Sequence, residues 1–174
     1  MTEPLPYRIA VLCYLFDAAG RTLLLHRRKQ PNQDLYSPVG GKLDRPTGES
    51  PAACALREIR EEAGLTLNTT DLHLAGIVSE AGYEGQCHWL MFVFDIVRPV
   101  HVTRESCVEG RLEWHRPDQI ERLPMPETDR LVIWPLFWQY RGRFFAVHID
   151  CTSGSLRWRL EQPVEDAWVD FRTQ

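Results

Sequence analysis

The sequence predicts an α+β fold, in which a mixed β-sheet packs against one dominant helix and a few shorter ones. Apolar runs of strand length, rich in β-branched residues, recur along the chain. One long segment, residues 50–63, instead has the apolar spacing and the end signals of a helix. The sequence has no internal repeat and no low-complexity tract, so we expect one globular domain over residues 1–174.

The first two strands are predicted at Tyr7–Phe16 and Arg21–Arg27. The turn Asp17–Gly20 ends in glycine and joins them, so we interpret the two runs as a hairpin. Segment Lys29–Asp34 is polar and contains a proline, which predicts a loop. It leads into Tyr36–Asp44, whose glycines predict a loop that lets backbone atoms approach a ligand closely.

The dominant helix is bracketed at both ends. Ser50 is a good N-cap and Pro51 suits the first helical position, where a missing N–H costs nothing. Gly64 can adopt the left-handed conformation that closes a last turn. The face expected to pack on the core carries Ala52, Leu56, Ile59 and Ala63.

Apolar runs of strand length continue through the second half of the chain. Strands are predicted at residues 72–79, 88–97, 111–116, 144–151 and 155–161, the last two forming a hairpin. A short helix is predicted from Pro117 to about Leu123. Residues 127–140 have helix-like apolar spacing, which Pro135 is expected to kink or restart.

Composition and charge restrict the class of protein. Hydrophobic residues make up 44% of the 174 residues and charged residues 25%, as in typical globular proteins. The net charge of -4 argues against a long nucleic acid as partner, because a basic surface supplies most of that affinity. A mononucleotide is compatible with this charge, because bound metal ions can neutralise phosphates locally.

The sequence predicts a cytoplasmic protein with no membrane partner. The first residues do not have the pattern of a secretion signal, and the apolar run Ile9–Phe16 is too short to span a bilayer. The five cysteines are odd in number and include no Cys-x-x-Cys pair, so we expect free thiols in a reducing compartment. A monomer and a homodimer are both compatible with the sequence.

Three acidic residues cluster near the end of the dominant helix. At roughly 100° per residue, Glu58, Glu61 and Glu62 fall within an arc of about 100° and repel one another. A bound Mg²⁺ or Mn²⁺ would offset this repulsion, since hard cations prefer carboxylate oxygens. The alternative interpretation is a solvated charged face on a surface helix.

The spacing of these residues resembles the Nudix box. Glu49 is followed by seven residues and then by Arg57–Leu65, which reads Arg-Glu-Ile-Arg-Glu-Glu-Ala-Gly-Leu and matches the second half of the box completely. Seven residues, where the family has five, separate Gly41 from Glu49, which predicts a longer loop over residues 42–48. The resemblance implies an α/β/α sandwich around a mixed sheet over about residues 7–138, with residues 142–162 as a C-terminal hairpin extension.

The resemblance also implies metal-dependent hydrolysis of a nucleoside diphosphate linked to another group, X. By similarity, the metal ligands are Glu58, Glu61 and Glu62, and one of these three could also serve as the general base. Arg57 would orient a glutamate. The carbonyl of Gly41 would complete a metal site. Gly40, Glu49 and Gly64 are the structural positions of the box.

A distal acid is expected to join the site. Glu109 precedes a Gly-Arg-Leu-Glu-Trp stretch that resembles MutT-type members, which implies an auxiliary metal or base role for it. The alternative is a solvated loop glutamate, because loops carry variable surface as well as function. Glu105 and Glu113 are weaker candidates for the same role.

Substrate-binding residues are expected in three regions. Asp129 and Trp134 lie in a segment that resembles the region holding the base in oxidised-purine diphosphatases, although an acid near a helix end and a core tryptophan would have the same pattern. Tyr36 and Arg27 could line the phosphate or base pocket. The alternative for Arg27 is a strand end that faces water.

The favoured function is hydrolysis of an oxidised or ordinary purine nucleoside triphosphate to monophosphate and pyrophosphate. The first alternative is a pyrophosphatase for ADP-ribose, a nucleotide sugar or a dinucleoside polyphosphate, because specificity lies outside the box. The second is a non-catalytic module that senses a nucleotide. The complete set of box glutamates favours an enzyme.

Overall fold

The computed structural model of the chain describes residues 4–30, 32–164 and 168–170. Pro31 of the predicted loop lies outside these residues, as do the terminal segments 1–3 and 171–174 of the predicted domain. None of the helices in the described ranges is long and apolar enough to cross a membrane.

The described elements alternate irregularly between strand and helix. The strands are β1 (Tyr7–Tyr14), β2 (Thr22–Arg27), β3 (Tyr36–Lys42), β4 (Leu72–Tyr83), β5 (Cys87–Ile96), β6 (Gly110–His115), β7 (Phe145–Asp150), β8 (Arg157–Gln162) and β9 (Val169–Asp170). The helices are α1 (Pro51–Glu58), continued by a π-helical turn (Ile59–Ala63), α2 (Pro117–Ile120) and α3 (Trp134–Gln139), preceded by a second π-helical turn (Asp129–Ile133). A short 3₁₀ turn, Thr69–Asp71, leads into β4.

These strands form one mixed sheet, in the order β6-β2-β3-β1-β5-β4-β7-β8-β9. The pairs β1–β5 and β4–β7 are parallel, and the remaining neighbours are antiparallel. The sheet therefore has the mixed character expected from the sequence.

The predicted hairpin of the first two strands exists only at its turn. Leu23 N–H donates to the carbonyl of Leu15 over 3.0 Å, but farther from the turn β3 lies between the two strands. Residues 36–38 of β3 pair with β2, and residues 39–42 pair with β1. The prediction of a long hairpin is therefore wrong, because β3 supplies the backbone partners that each strand requires.

The two faces of the sheet each pack against a helical layer. Val11 and Cys13 of β1, and Leu15 just after it, point towards α1, and their cluster includes Cys54, Ala55 and Ile59 of the helix. Ala10 and Tyr14 point to the opposite face, where α3 contributes Trp134, Leu136 and Phe137. Because successive residues of a strand alternate between faces, one strand serves both cores. The arrangement is the predicted α/β/α sandwich.

The C-terminal hairpin extends the same sheet. β7 pairs with β8 as predicted, and its other edge runs parallel to β4, with Gly76 opposite Phe145. The ring of Phe145 is fully buried and lies 6.2 Å from that of Tyr140. A side chain at position 76 would collide with this ring, so Gly76 allows the two strands to pack closely.

We expect Phe145→Ala to lower the free energy of unfolding by about 3–5 kcal/mol, because it leaves a cavity in the core beside β4. Phe144→Ala is the matched control, since its ring is 38% exposed, and we expect a loss below about 1 kcal/mol. Denaturant titration followed by circular dichroism measures both. Two separate transitions, or equal small losses, would show that the hairpin unfolds on its own.

Candidate active site

The glutamates of the site lie on the helix formed by residues 51–63, here called the box helix. Ser50 caps it as predicted, since its hydroxyl accepts the N–H of Ala53 over 3.2 Å, and Gly64 ends it with φ of 72°. The last turn, Ile59–Ala63, is π-helical. This wider turn changes the angular spacing assumed from an ideal α-helix, and such turns are frequent at functional sites.

Glu62 and Glu58 point at the backbone of β3. Glu62 is 3% exposed, and its Oε2 accepts the N–H of Gly40 over 3.0 Å. Burial raises the pKa of Glu62 to about 8, against the opposing effect of that N–H. Burial also raises the pKa of Glu58. The interpretation of these residues as a solvated charged face is therefore wrong for Glu62, while Glu61 has a side chain that is 54% exposed.

Gly41 makes the close approach of Glu58 possible, and Gly40 lets β3 pack closely on β1. A side chain at position 40 would collide with the carbonyl of Val11, and one at position 41 would collide with the carboxylate of Glu58. The glycine segment is the strand β3, whereas the sequence predicted a loop over residues 36–44. Pairing on both edges holds it extended, because each half finds a different neighbouring strand.

Arg57 connects the carboxylates of the box. Its Nε and Nη2 donate to the two oxygens of Glu49 over 2.7 and 2.8 Å. Its Nη1 donates to Glu58 over 2.7 Å and to Glu61 over 3.2 Å. The Arg57 hydrogen bonds lower the pKa of Glu49 to about 2, against the opposing effect of burial. Arg57 thus forms hydrogen bonds with three glutamates of the box.

The longer loop closes on itself before the box helix. Gly48 N–H donates to the carbonyl of Arg45, and Glu49 N–H donates to that of Asp44, both over 3.1 Å. The N–H of Asp44 in turn donates to Oε2 of Glu49 over 2.8 Å. The two additional residues are accommodated in this turn, and Glu49 keeps its contact with Arg57.

Glu109 and Arg27 meet beside the same carboxylates. Arg27 ends β2 and Gly110 begins β6 opposite it, which brings Arg27 Nη2 within 3.0 Å of Glu109 Oε2. The carboxylate of Glu109 contributes to the raised pKa of Glu62, and the guanidinium of Arg27 opposes it. Both predicted residues therefore lie at the site, as an ion pair that neither prediction included.

A cavity of about 400 Å³ joins this cluster to a second acidic region. Gly40, Gly41, Glu58 and Glu62 line one part of it, together with Arg27 and Glu109. Glu80, Thr128 and Asp129 also line it. Two groups of acids, one on the box helix and one on β4 and the segment before α3, therefore share one cavity.

Glu80 is a site residue that the sequence analysis missed. It is 2% exposed, and burial followed by the charge of Asp129 raises its pKa to about 8. Burial raises the pKa of Asp129 to about 7. The predicted strand ended at Ser79, but β4 continues to Tyr83 through an irregularity at Gly82. An acid two positions beyond buried Val78, on the same face, was the available signal.

The structure does not bring Tyr36 or Trp134 into this cavity. Trp134 is 3% exposed and packs in the core against Tyr14, with ring centroids 5.3 Å apart. The hydroxyl of Tyr36 donates to Glu113 over 2.8 Å, and its ring stacks on His26. The alternative of a core tryptophan is the one that the structure supports.

The two competing acids, Glu105 and Glu113, lie elsewhere. Glu113 accepts the hydroxyl of Tyr36 and pairs with Arg111 over 2.9 Å. Glu105 is exposed. Neither lines the cavity, whereas Glu109 does.

The donors at the box helix suit a hard divalent cation. They are carboxylate oxygens with the carbonyl of Gly41 nearby, and Mg²⁺ and Mn²⁺ prefer such ligands. A cation would also favour the ionised forms of Glu58 and Glu62, whose pKa values are raised by burial. Within the described part of the chain, no three acidic, histidine or cysteine side chains form a ready cage, and Arg57 holds Glu58 and Glu61.

Comparison with known proteins identifies the family of this site. The model of the NUDIX domain matches residues 6–134, about three quarters of the chain. The chain belongs to the NUDIX family. The uncharacterised Nudix hydrolase YvcI of Bacillus subtilis (strain 168) is 29% identical over 110 residues, which cover 63% of this chain and 66% of that protein.

Solved structures share the fold. The MutT protein of Bacillus halodurans superposes with a TM-score of 0.69 at 26% identity, over 89% of this chain and 98% of that one. The NUDIX domain of Shewanella oneidensis NrtR, solved in complex with ADP ribose, has a TM-score of 0.63 at 13% identity, over 79% and 89% of the two chains. The second likeness concerns the fold alone.

We expect Glu49→Gln to lower the free energy of unfolding by about 1–3 kcal/mol at neutral pH, because it removes a bidentate ionic contact with Arg57. The folded-state pKa of Glu49 is about 2, below its ordinary 4.5. The contact therefore stabilises the protein fully above pH 4.5, and this contribution is lost as the pH falls towards 2.

The difference in stability between wild type and Glu49→Gln should accordingly shrink as the pH is lowered through this window. Denaturant titrations at several pH values measure it, with Glu121→Gln as an exposed control that changes neither curve. A difference that stays constant down to about pH 3 would contradict the assignment.

Proposed function

We propose that this protein hydrolyses a nucleoside diphosphate linked to X, with Mg²⁺ or Mn²⁺ held by Glu58, Glu61, Glu62 and Glu109. The observation that carries this proposal is the placement of Glu58 and Glu62 against Gly40 and Gly41 at an open cavity. When bound, the cation would polarise phosphate oxygens and make a coordinated water more acidic. Water then adds to phosphorus, and the bridging oxygen leaves with the departing phosphate.

The chain's own groups hold and orient the reacting parts. Arg57 fixes Glu58 and Glu61 through Nη1, while its other nitrogens are engaged by Glu49. Arg27, at the cavity wall, supplies a positive charge for a phosphate group. One of the box glutamates would take the proton from the attacking water.

We propose a purine nucleoside triphosphate as the substrate, with monophosphate and pyrophosphate as products and an oxidised purine included. The phosphates would lie at the box helix, beside Arg27 and the cation ligands. The base would lie towards Asp129, whose carboxyl can accept a hydrogen bond from an N–H donor. The resemblance of residues 109–114 to MutT-type members supports this class of substrate, and the fold is shared with the MutT protein of Bacillus halodurans.

We expect pyrophosphate release from 8-oxo-dGTP and dGTP in the presence of Mg²⁺, and its loss by roughly 10²-fold or more in Glu62→Gln. This substitution keeps the size of the side chain and removes its charge. Glu121→Gln, on an exposed position away from the cavity, is the control and should keep full activity. Malachite-green detection after pyrophosphatase addition measures the rates.

The same assay separates the alternatives. Turnover of ADP-ribose or a nucleotide sugar without any turnover of a triphosphate would replace the proposed substrate. Tight nucleotide binding without turnover under Mg²⁺ or Mn²⁺ would instead indicate a sensing module. Unchanged rates in Glu62→Gln would contradict the proposed site.

We expect Gly41→Ala to reduce activity by at least about 10-fold while changing stability little. The added methyl group would occupy the space of the Glu58 carboxylate and displace this flexible side chain. Thermal unfolding checks that the variant folds, and steady-state kinetics check the loss. Normal activity of the variant would show that the position of Glu58 against β3 is not required.

A further inference from the structure

The cavity floor is a row of side chains on one face of the sheet. Arg8 of β1 lies opposite Trp89 of β5, and Trp89 lies opposite Glu80 of β4. Directly opposite residues on neighbouring strands point to the same face, so a cation, an aromatic ring and an acid stand in line. The guanidinium of Arg8 lies 5.6 Å from the centre of the Trp89 ring. All three residues line the cavity.

In this row Glu80 is a buried acid, and no cationic side chain of the described residues pairs with it. Within the described ranges, neither Glu80 nor Asp129 forms a salt bridge with lysine, arginine or histidine. The side chain of Thr128 donates a hydrogen bond to Glu80, and the thiol of Cys151 lies 3.9 Å from its Oε1. A carboxylate has about four acceptor positions, so several remain available to a ligand.

The chemistry of this end of the cavity restricts what can lie there. An anionic group would be repelled by Glu80 and Asp129, and a purely apolar group would leave both carboxyls desolvated and unpaired. A flat heterocycle with adjacent N–H donors satisfies them. The guanine type of purine has such an edge, with a ring N–H next to an exocyclic 2-amino group, whereas hypoxanthine lacks the amino group.

We propose that Glu80 is a specificity-determining residue which, with Asp129, selects purines that carry a 2-amino group beside the ring N–H. This inference rests on the proposed function for the position of the phosphates, but it concerns the opposite end of the ligand. A site built to accept hydrogen bonds from a donor discriminates strongly against the analogue that lacks it. Burial raises the pKa of Glu80 although Thr128 and Cys151 oppose this effect, which agrees with a carboxyl that is only partly compensated before a ligand binds.

The test compares GTP with ITP, which differ only in the 2-amino group. For the wild type we expect kcat/KM to favour GTP by roughly 10- to 100-fold. In Glu80→Gln, we expect this ratio to fall at least about 10-fold, with kcat for ITP within about threefold of the wild type. Glu127→Gln, an exposed acid that does not line the cavity, is the matched control and should keep the wild-type ratio.

A binding measurement separates this inference from the proposed reaction. Calorimetric titration of GMP and IMP in EDTA requires neither turnover nor metal, and we expect the same preference and the same loss in Glu80→Gln. If no triphosphate is hydrolysed but this binding pattern is observed, the inference stands and the proposed reaction fails. If triphosphates are hydrolysed and the ratio of GTP to ITP is the same in wild type and variant, the inference is wrong.

Folding of the variants is checked by circular dichroism and thermal unfolding. Asp129→Asn provides a second variant should Glu80→Gln fail to fold, and we expect it to reduce the same ratio. Discrimination that is unchanged in a folded Asp129→Asn protein would overturn the proposal. Reduced affinity for GMP and IMP alike in each variant would also overturn it, because that result indicates a structural role.

Discussion

The structure depends on carboxylates that are held against the backbone of β3 with little access to water. Glu58 reaches this strand only because Gly41 has no side chain, and Glu62 accepts the N–H of Gly40. Burying a carboxylate is costly unless a donor or a cation compensates for its lost hydration. The sheet order places β3 between β1 and β2, so the box helix packs on β1 and still presents its acids to the cavity.

Arg57 balances this arrangement only in part. Two of its nitrogens are committed to Glu49 in a bidentate contact, and the third is shared between Glu58 and Glu61. One positive charge therefore faces three negative charges, with Glu62 and Glu109 outside its hydrogen bonds. The contact with Glu49 fixes the guanidinium, while the other two carboxylates can exchange it for a stronger cation. A site with this excess of acids suits a divalent ion.

Local signals in the sequence predicted the box helix well and the surroundings less completely. Ser50, Gly64 and the spacing around Arg57 act within a few residues, so the helix ends and the order of the box follow from them. The pairing of β3 with both β1 and β2 depends on contacts across the whole sheet, and the predicted hairpin therefore extended too far. Trp134 was ambiguous because aromatic residues fill cores and line sites with equal ease.

Local signals in the sequence did not identify Glu80 as a site residue. Its neighbours Ala81 and Gly82 indicate a turn, yet β4 continues to Tyr83 through an irregularity after Glu80, which points inwards on the same face as Val78. Its acidic partner Asp129 is distant in sequence and belongs to the segment before α3, so their meeting depends on the packing of α3 on the sheet. The cavity consequently has acids at both ends, and their negative charge would be compensated by different groups. At the box helix a bound cation would neutralise them, and beside Trp89 a donor-rich group would, so the proposed substrate would bind in one direction.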